Sequence, residues 1–147
     1  MRNALNKSSA MLSIALAALL LACGGDSTSP ANTATGNYTA ISFVTTGTGG
    51  QRNEIQAGST LTLNLNANGT TSGHLHVAAN GSNPAFDSDL PGTWTQAGMT
   101  VELTMPAVDT FVEDMPLELT ANSVGGWDLE GVGGFSGTQV QLTLRRT

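Results

Sequence analysis

The stretch STLTLNLNANGTTSGHLHVA, residues 59–78, decides the fold class. Apolar and polar residues alternate on both sides of its centre, where Asn68-Gly69 is typical of a hairpin turn because glycine tolerates a positive φ. A period of two places successive side chains on opposite faces of a strand. The stretch therefore predicts two antiparallel strands, 59–66 and 70–78, each with one buried face and one solvated face.

The same alternation continues through the rest of the chain after residue 35. Seven further segments show it: Tyr38–Thr45, Thr93–Gln96, Met99–Met105, Thr110–Glu113, Leu117–Ala121, Val124–Glu130 and Thr138–Arg146. No segment of helical length has apolar residues at i, i+3 and i+4, and eighteen glycines discourage a helix. We expect an all-β domain with eight or nine antiparallel strands in sequential order.

Alternation also predicts which side chains form the core. The apolar rows are Leu61, Leu63 and Leu65; Leu75 and Val77; Val101, Leu103 and Met105; Leu117 and Leu119; and Val140, Leu142 and Leu144. About eight such strands can close into an up-and-down barrel, which removes the sheet edges, and a β-sandwich is the alternative. A barrel of this size is either filled by side chains or holds one small ligand. Glycines outside these rows, at 125–126 and 131–134, predict turns or bulges.

The first 22 residues have the organisation of a secretory signal. Arg2 and Lys7 make the amino-terminal part positive, and an apolar segment follows from Met11 to Ala22. Because a membrane-spanning helix needs about 20 apolar residues, this segment is too short to cross a bilayer. We interpret it as a signal peptide that is removed.

Leu20-Leu21-Ala22-Cys23, at the end of this segment, resembles the lipobox of bacterial lipoproteins. The resemblance implies cleavage before Cys23, a diacylglyceryl group on its thiol and a further acyl chain on the new amino terminus. Two or more chains are what stable membrane anchoring requires. The alternative is an ordinary secreted protein with an unpaired cysteine.

Residues 24–35 are mostly Gly, Ser, Thr, Asn and Ala, a composition typical of a flexible tether with a reach of about 20 Å. In enterobacterial lipoproteins an Asp directly after the lipidated cysteine favours inner-membrane retention. Here that position is Gly24, so we expect the outer membrane, with the domain facing the periplasm or the cell exterior. The predicted division is a signal peptide over 1–22, the lipidated cysteine and tether over 23–35, and one domain over 36–147.

The charge balance of the predicted mature part excludes several classes of partner. Arg52, Arg145 and Arg146 are its only basic residues against eleven carboxylates, which is a formal net charge of −8. An acidic surface of this kind repels nucleic acid and anionic headgroups. Since the only cysteine is the lipid attachment site, the domain has no disulfide, thiol nucleophile or cysteine-based metal site.

A second resemblance covers the predicted domain from Gly36 to Arg146. Gly36-Asn37-Tyr38 is similar to the Gly-x-Trp that opens a lipocalin barrel, and Arg145 or Arg146 matches the arginine that packs over that aromatic ring. The segments 92–95 with 101–103, and 135–138 with 140–142, also resemble hairpins of lipocalin-like, calycin-type domains in bacterial lipoproteins. The resemblance implies a cation–π contact at a closed end and a barrel that can bind a small apolar molecule.

His74 and His76 form the sharpest candidate constellation, because i and i+2 share one strand face. A zinc site needs at least a third ligand, and Asp87 and Asp89 are the nearest carboxylates in sequence. Since Leu75 faces the predicted core, the histidines are predicted on the solvent side. We therefore predict no metal site, with this pair as a weak candidate only.

The remaining polar and aromatic residues indicate no reaction. The acidic pairs Asp87 and Asp89, Glu113 and Asp114, and Asp128 and Glu130 lack the spacing of a calcium loop, and Phe43, Trp94, Phe111 and Trp127 are typical core aromatics. We therefore expect no enzyme and no cofactor beyond the lipid on Cys23. The expected function is a lipid-anchored envelope protein whose barrel binds a small hydrophobic ligand. The alternative is a structural or protein-interaction module with a filled barrel, its partner being undetermined.

Overall fold

The structure is a computed structural model that describes residues 34–81, 83–105, 112, 115–135 and 137–147. These residues contain strands and no α-helix. In chain order the strands are β1 (Gly36–Gly47), β2 (Gly50–Asn53), β3 (Thr60–Leu65), β4 (Thr70–Val77), β5 (Phe86–Asp89), β6 (Gly92–Ala97), β7 (Thr100–Thr104), β8 (Leu117–Ala121), β9 (Trp127–Phe135) and β10 (Thr138–Arg146).

Eight of these strands form a closed antiparallel barrel. Their order around the barrel is β1-β3-β4-β6-β7-β8-β9-β10, and β10 pairs with β1 to complete the closure. The order follows the chain once the two short strands are set aside. The prediction of an up-and-down barrel of about eight strands is therefore confirmed, and the β-sandwich is not adopted.

The two short strands, β2 and β5, lie beside the barrel and were not predicted. β2 pairs with the second half of β1, and β5 pairs with the second half of β4. Each has four residues, and none of its side chains is buried, so neither leaves an apolar row in the sequence. The predicted strand Thr110–Glu113 lies outside the described residues except for Val112, which is in a turn.

The predicted apolar rows form the core of the barrel. They are buried in one cluster, except that Val77 packs against that cluster while partly exposed. Asn68-Gly69 lies in the predicted turn between β3 and β4, where Gly69 has φ of +81°. The alternation around residues 59–78 therefore predicted both the strands and their buried faces correctly.

The last hairpin differs from the prediction at its first strand. β9 runs over Trp127–Phe135, whereas Val124–Glu130 was predicted, and residues 131–134 continue the strand where a turn or bulge was expected. The reason is close packing inside the barrel. A β-carbon on Gly131 would lie 2.5 Å from Met115 Sδ and 2.7 Å from Leu117 Cδ2. Glycine is required there by the neighbouring side chains and not by a chain reversal.

The barrel has two ends that differ in their contacts. At the Tyr38 end, the chain arrives at Ala34 and leaves after Arg146, so the first and last described strands meet there. At the Glu54 end, β1 turns into β2, and residue Ala78 follows β4. These names are kept for the two ends below.

Candidate functional site

The predicted lipid attachment site, Cys23, lies outside the described residues, as do the signal peptide and most of the tether. The described chain begins at Ala34, which is fully buried. Its amide donates a hydrogen bond to Gln96 Oε1, and its carbonyl accepts one of 2.6 Å from the Tyr38 hydroxyl. The last two residues of the predicted tether, Ala34 and Thr35, are thus attached to the Tyr38 end of the barrel, and the prediction that the flexible tether reaches Thr35 is wrong at these two positions.

The described part of the chain contains no helix that is long and apolar enough to cross a membrane.

Tyr38 and Arg146 form the contact expected from the resemblance. The guanidinium carbon of Arg146 lies 5.6 Å from the centroid of the Tyr38 ring, within the range of a cation–π interaction. Arg146 also donates a hydrogen bond to the carbonyl of Thr35. Burial raises the pKa of the Tyr38 hydroxyl, and the nearby charge of Arg146 partly opposes that rise.

Arg145, the other candidate for that role, has a different partner because successive strand residues face opposite sides. Its guanidinium binds the carboxylate of Asp128 in a two-point contact, with Nη2–Oδ2 at 2.9 Å and Nε–Oδ1 at 3.2 Å. The hydrogen bond from Arg145 lowers the pKa of Asp128, which also accepts one from the Asn122 side chain. Arg146 is therefore the residue at the ring, and Arg145 joins β9 to β10.

Among the described residues, the inward-facing side chains of the barrel are packed against one another in one cluster. Leu61, Leu65, Val101, Leu117 and Leu129 have no exposed surface at all, and most other core residues are at most 2 % exposed. A void large enough for a ligand would leave accessible area on the side chains that line it. Of the predicted core aromatics, Phe43 and Trp94 are buried and Trp127 packs against the core, whereas Phe111 lies outside the described residues.

The two candidate histidines lie on the outer face of β4, opposite the short strand β5. The register pairs His74 with Asp89 and His76 with Asp87. His74 Nδ1 lies 3.0 Å from Asp89 Oδ1, while His74 Nε2 and His76 Nδ1 lie 3.2 Å and 2.8 Å from the same oxygen, Asp87 Oδ1. β5 therefore brings to the histidines the two carboxylates that were nearest in sequence. These four side chains are the His–Asp ladder.

The ladder is an arrangement of ion pairs at the surface. Hydrogen bonds with Asp89 and then Asp87 raise the pKa of His74 above 6.5, and hydrogen bonds with His76 and His74 lower the pKa of Asp87 below 3.8. Across the described ranges, no three His, Cys, Asp or Glu side chains are placed to hold a metal ion. The ladder therefore adds side-chain contacts between β4 and β5 to the backbone pairing of the two strands.

A polar cluster at the Glu54 end was missed by the sequence analysis. Glu54 is only 2 % exposed, and its carboxylate accepts hydrogen bonds from the Thr45 hydroxyl at 2.7 Å and the Ser59 hydroxyl at 3.0 Å. Arg52 Nη1 lies 3.1 Å from Glu54 Oε2. Arg52 also donates to the carbonyls of Ala78 and Ala79. The cluster joins β1, β2 and the two chain segments that flank β3 and β4.

The only sequence signal for this cluster was the scarcity of basic residues, since Arg52 is one of three in the predicted mature part. Arg52 and Glu54 lie in a polar stretch without alternation or a known motif. Their partners Ser59 and Ala78 become neighbours only when β3 and β4 pair. The cluster therefore could not be derived from spacing.

A groove of about 490 Å³ lies on the outer wall of the barrel, where β8, β9, β10 and β1 run side by side. We call it the outer-wall groove. It is lined by Ser42, Pro116, Glu118, Glu130, Gly131, Val132, Gln141, Leu142 and Thr143. Asp128 and Glu130, one of the predicted acidic pairs, have different surroundings. Asp128 binds Arg145, whereas Glu130 lines the groove. Glu113 and Asp114 lie outside the described residues.

No family model, curated protein or solved structure matches this chain. Its function is therefore inferred from the residues and contacts described above.

Proposed function

We propose that this chain is a lipid-anchored lipoprotein of the bacterial cell envelope whose barrel is a non-catalytic protein-interaction module. Cys23 carries the lipid, and the outer membrane is the proposed location, with the domain facing the periplasm or the cell exterior. The lipobox and the tether composition support the anchor. The attachment of the chain at the Tyr38 end would then direct the Glu54 end away from the bilayer.

The observation that carries the interaction proposal is the filled barrel. The inward-facing leucines and valines of the barrel strands are buried against one another. Ligand pockets are mostly concave, apolar and a few hundred Å³ in volume. Because these inward-facing side chains are packed against one another, the proposal places recognition on the outside of the barrel.

The polar groups of the described residues also favour a binding role over catalysis. The carboxylates of Glu54, Asp87 and Asp128 each have a basic partner in the barrel. Glu54 is buried with that partner, while the His–Asp ladder is open to solvent. Catalysis by acid and base needs groups that converge on one reacting atom, and these three pairs lie on different strands.

The barrel proposal is tested by native mass spectrometry of the full lipidated protein purified from membranes. The expected mass is that of the polypeptide from Cys23 with its covalent lipid. An additional apolar molecule that stays bound in the folded protein and is lost on unfolding would overturn the filled-barrel proposal. It would favour the ligand-binding function expected from the resemblance.

The interaction proposal is tested in cells by photo-crosslinking from single surface positions of the full chain. Probes replace Ile41, Phe86, Val124 or Gln141, all of which are exposed. A discrete protein adduct from at least one position is expected. Adducts from none of the four would overturn the proposal.

The anchor proposal is tested with Cys23→Ala. The variant is expected in the soluble or unprocessed fraction, because the thiol that accepts the lipid is gone. A mature-length variant that remains bound to membranes would contradict the anchor. Cys23→Ser is a matched control that also lacks the thiol, and it is expected to behave in the same way.

A further inference from the structure

We infer that the outer-wall groove binds a segment of a partner protein through a lysine or arginine side chain whose stem lies against Val132. The inference rests on the proposed interaction function and names the chemistry of the partner. Two observations support it: the register of β8, β9 and β10 brings two carboxylates, Glu118 and Glu130, into one groove, and the exposed side chain of Val132 lines the same groove.

Two carboxylates face each other across the groove. The register pairs Glu118 on β8 directly with Glu130 on β9, and both side chains are on the exposed face. Like charges directly opposite on neighbouring strands are destabilising. The Thr100 hydroxyl donates a hydrogen bond of 2.7 Å to Glu118, which leaves the charge in place. Within the described ranges, neither carboxylate forms an ion pair, so a cation from outside would relieve the repulsion.

The apolar half of the groove adjoins these charges. Val132 is the next outward-facing residue on β9 after Glu130, about 7 Å along the strand, and it is 56 % exposed. Gly131 between them carries no side chain, and Pro116 adds an apolar ring on the other wall. Lysine and arginine combine a long apolar stem with a charged head. A stem against Val132 would bring the charged head toward Glu118 and Glu130, which line the same groove.

A second copy of this chain is a poor source of that cation. Arg52 is bound to Glu54, Arg145 is bound to Asp128, and Arg146 packs over Tyr38. These are all the basic residues of the predicted mature part. Because the groove is open along the barrel wall, it also cannot enclose a small molecule as a ligand pocket does. A different protein with an exposed basic residue is the occupant that fits.

The test uses a photo-crosslinking probe in place of Gln141, which lines the groove opposite Val132 in the full lipidated protein. Adducts are compared in cells for three backgrounds: unchanged, Glu118→Gln with Glu130→Gln, and Glu102→Gln. Glu102 is an exposed carboxylate on β7 outside the groove and serves as the matched control. The double variant is expected to reduce adduct yield by roughly threefold to tenfold, as for two exposed ion pairs, whereas the control leaves it unchanged.

Two further measurements complete the test. The crosslinked segment, mapped by mass spectrometry, is expected to contain a lysine or arginine, and Val132→Ser is expected to lower the yield as well. Thermal unfolding of the double variant should occur at the same temperature as the unchanged protein or higher, since it removes a like-charge pair. This excludes loss of the adduct through misfolding.

Several outcomes would overturn the inference. Among them are an unchanged yield in the double variant, a crosslinked segment without a basic residue, and an adduct with a second copy of this chain. An adduct from the probe at Phe86 or Val124 with none from Gln141 would also overturn it, while leaving the proposed interaction function intact. Adducts from no position at all would instead overturn the proposed function itself.

Discussion

The two ends of the barrel each depend on an arginine, but they use it differently. At the Tyr38 end, Arg146 packs over an aromatic ring and donates a hydrogen bond to the carbonyl of Thr35, the last residue of the predicted tether. At the Glu54 end, Arg52 pairs with a carboxylate that is almost completely buried. The contact between Arg146 and Tyr38 adds to apolar packing that exists without it. The contact between Arg52 and Glu54 offsets the free-energy cost of burying the Glu54 carboxylate. Losing Glu54 should therefore cost far more than losing the contact between Tyr38 and Arg146, and the buried Asp128, which Arg145 binds at the Tyr38 end, should lie between the two.

The largest effect is expected for Glu54→Ala. The change leaves Arg52 without its carboxylate and the Ser59 hydroxyl without an acceptor, and we expect a loss of about 3 kcal/mol in unfolding free energy. Urea unfolding measures it. Glu54→Gln keeps the shape and part of the hydrogen bonding, so it should cost clearly less. Equal stability of Glu54→Ala and the unchanged protein would remove the distinction between the two ends.

Asp128→Asn sharpens the comparison at the Tyr38 end, where Asp128 is only 4 % exposed and the side chain of its partner Arg145 is 40 % exposed. We expect a loss of about 1.5 kcal/mol near neutral pH, since solvent screens the arginine. The pKa of Asp128 is lowered on folding, so its contribution is present above pH 3.8 and is lost as pH falls through the folded pKa. Urea unfolding at pH 7 and near pH 2 should show the variant and the unchanged protein converging in acid. A gap that stays constant would contradict this.

Tyr38→Phe isolates the hydroxyl at the same end. It removes the 2.6 Å hydrogen bond to the Ala34 carbonyl and keeps the ring under Arg146, so we expect a loss of about 1 kcal/mol. Arg146→Met keeps a long apolar side chain and removes the cation, with an expected loss of about 0.5–1 kcal/mol. Thermal unfolding measures both. If either variant were less stable than Glu54→Ala, the assignment of the stronger polar contribution to the Glu54 end would be wrong.

The smallest effect on stability is expected at the His–Asp ladder. Because the ladder is open to solvent, it provides a reference for the more buried ion pairs at the two ends of the barrel. The pKa of His74 is raised on folding, so its contribution is fully present below pH 6.5 and is lost as pH rises through the folded pKa. The pKa of Asp87 is lowered, so its contribution is present above pH 3.8 and is lost in stronger acid. Protection factors of the β5 amides in hydrogen exchange should therefore be greatest near pH 5.

The matched variant for that measurement is His74→Gln, which keeps a polar side chain but does not titrate. Its β5 protection should change less between pH 5 and pH 8 than that of the unchanged protein. Identical profiles for the two proteins would show that His74 does not hold β5.

Local patterns were enough to predict most of the barrel. The rows at Leu61, Leu63 and Leu65 placed both the strand and its buried face, because burial on one side imposes a period of two. The resemblance to lipocalin-like domains implied that Arg145 or Arg146 packs over Tyr38, and in the structure it is Arg146. Alternation did not predict β2 or β5, since a strand of four residues without a buried side chain shows no such period. The glycine pattern also predicted turns at 131–134, but there the strand continues, and Gly131 leaves room for the side chain of Met115.

The candidate functional residues likewise fall into those that the sequence predicted and those that only strand pairing brings together. His74 and His76 could be assigned to one face from their spacing, but the carboxylates opposite them depend on the pairing of β4 with β5. The opposition of Glu118 and Glu130 likewise depends on the register of β8 and β9. The sequence alone contains no pattern that indicates that two residues twelve positions apart are neighbours.

By itself, the sequence determined the all-β class, the sequential strand order and the buried rows, because these follow from alternation between neighbours in the chain. It also carries the acidic charge and the run ending at Cys23 that resembles a lipobox, and the functional proposal depends on both. Only the tertiary structure decided that the barrel is filled, that Glu54 is buried beside Arg52, and that the outer-wall groove combines two carboxylates with Val132. The physical reason is that packing and register join residues from different strands, and no single strand contains that information.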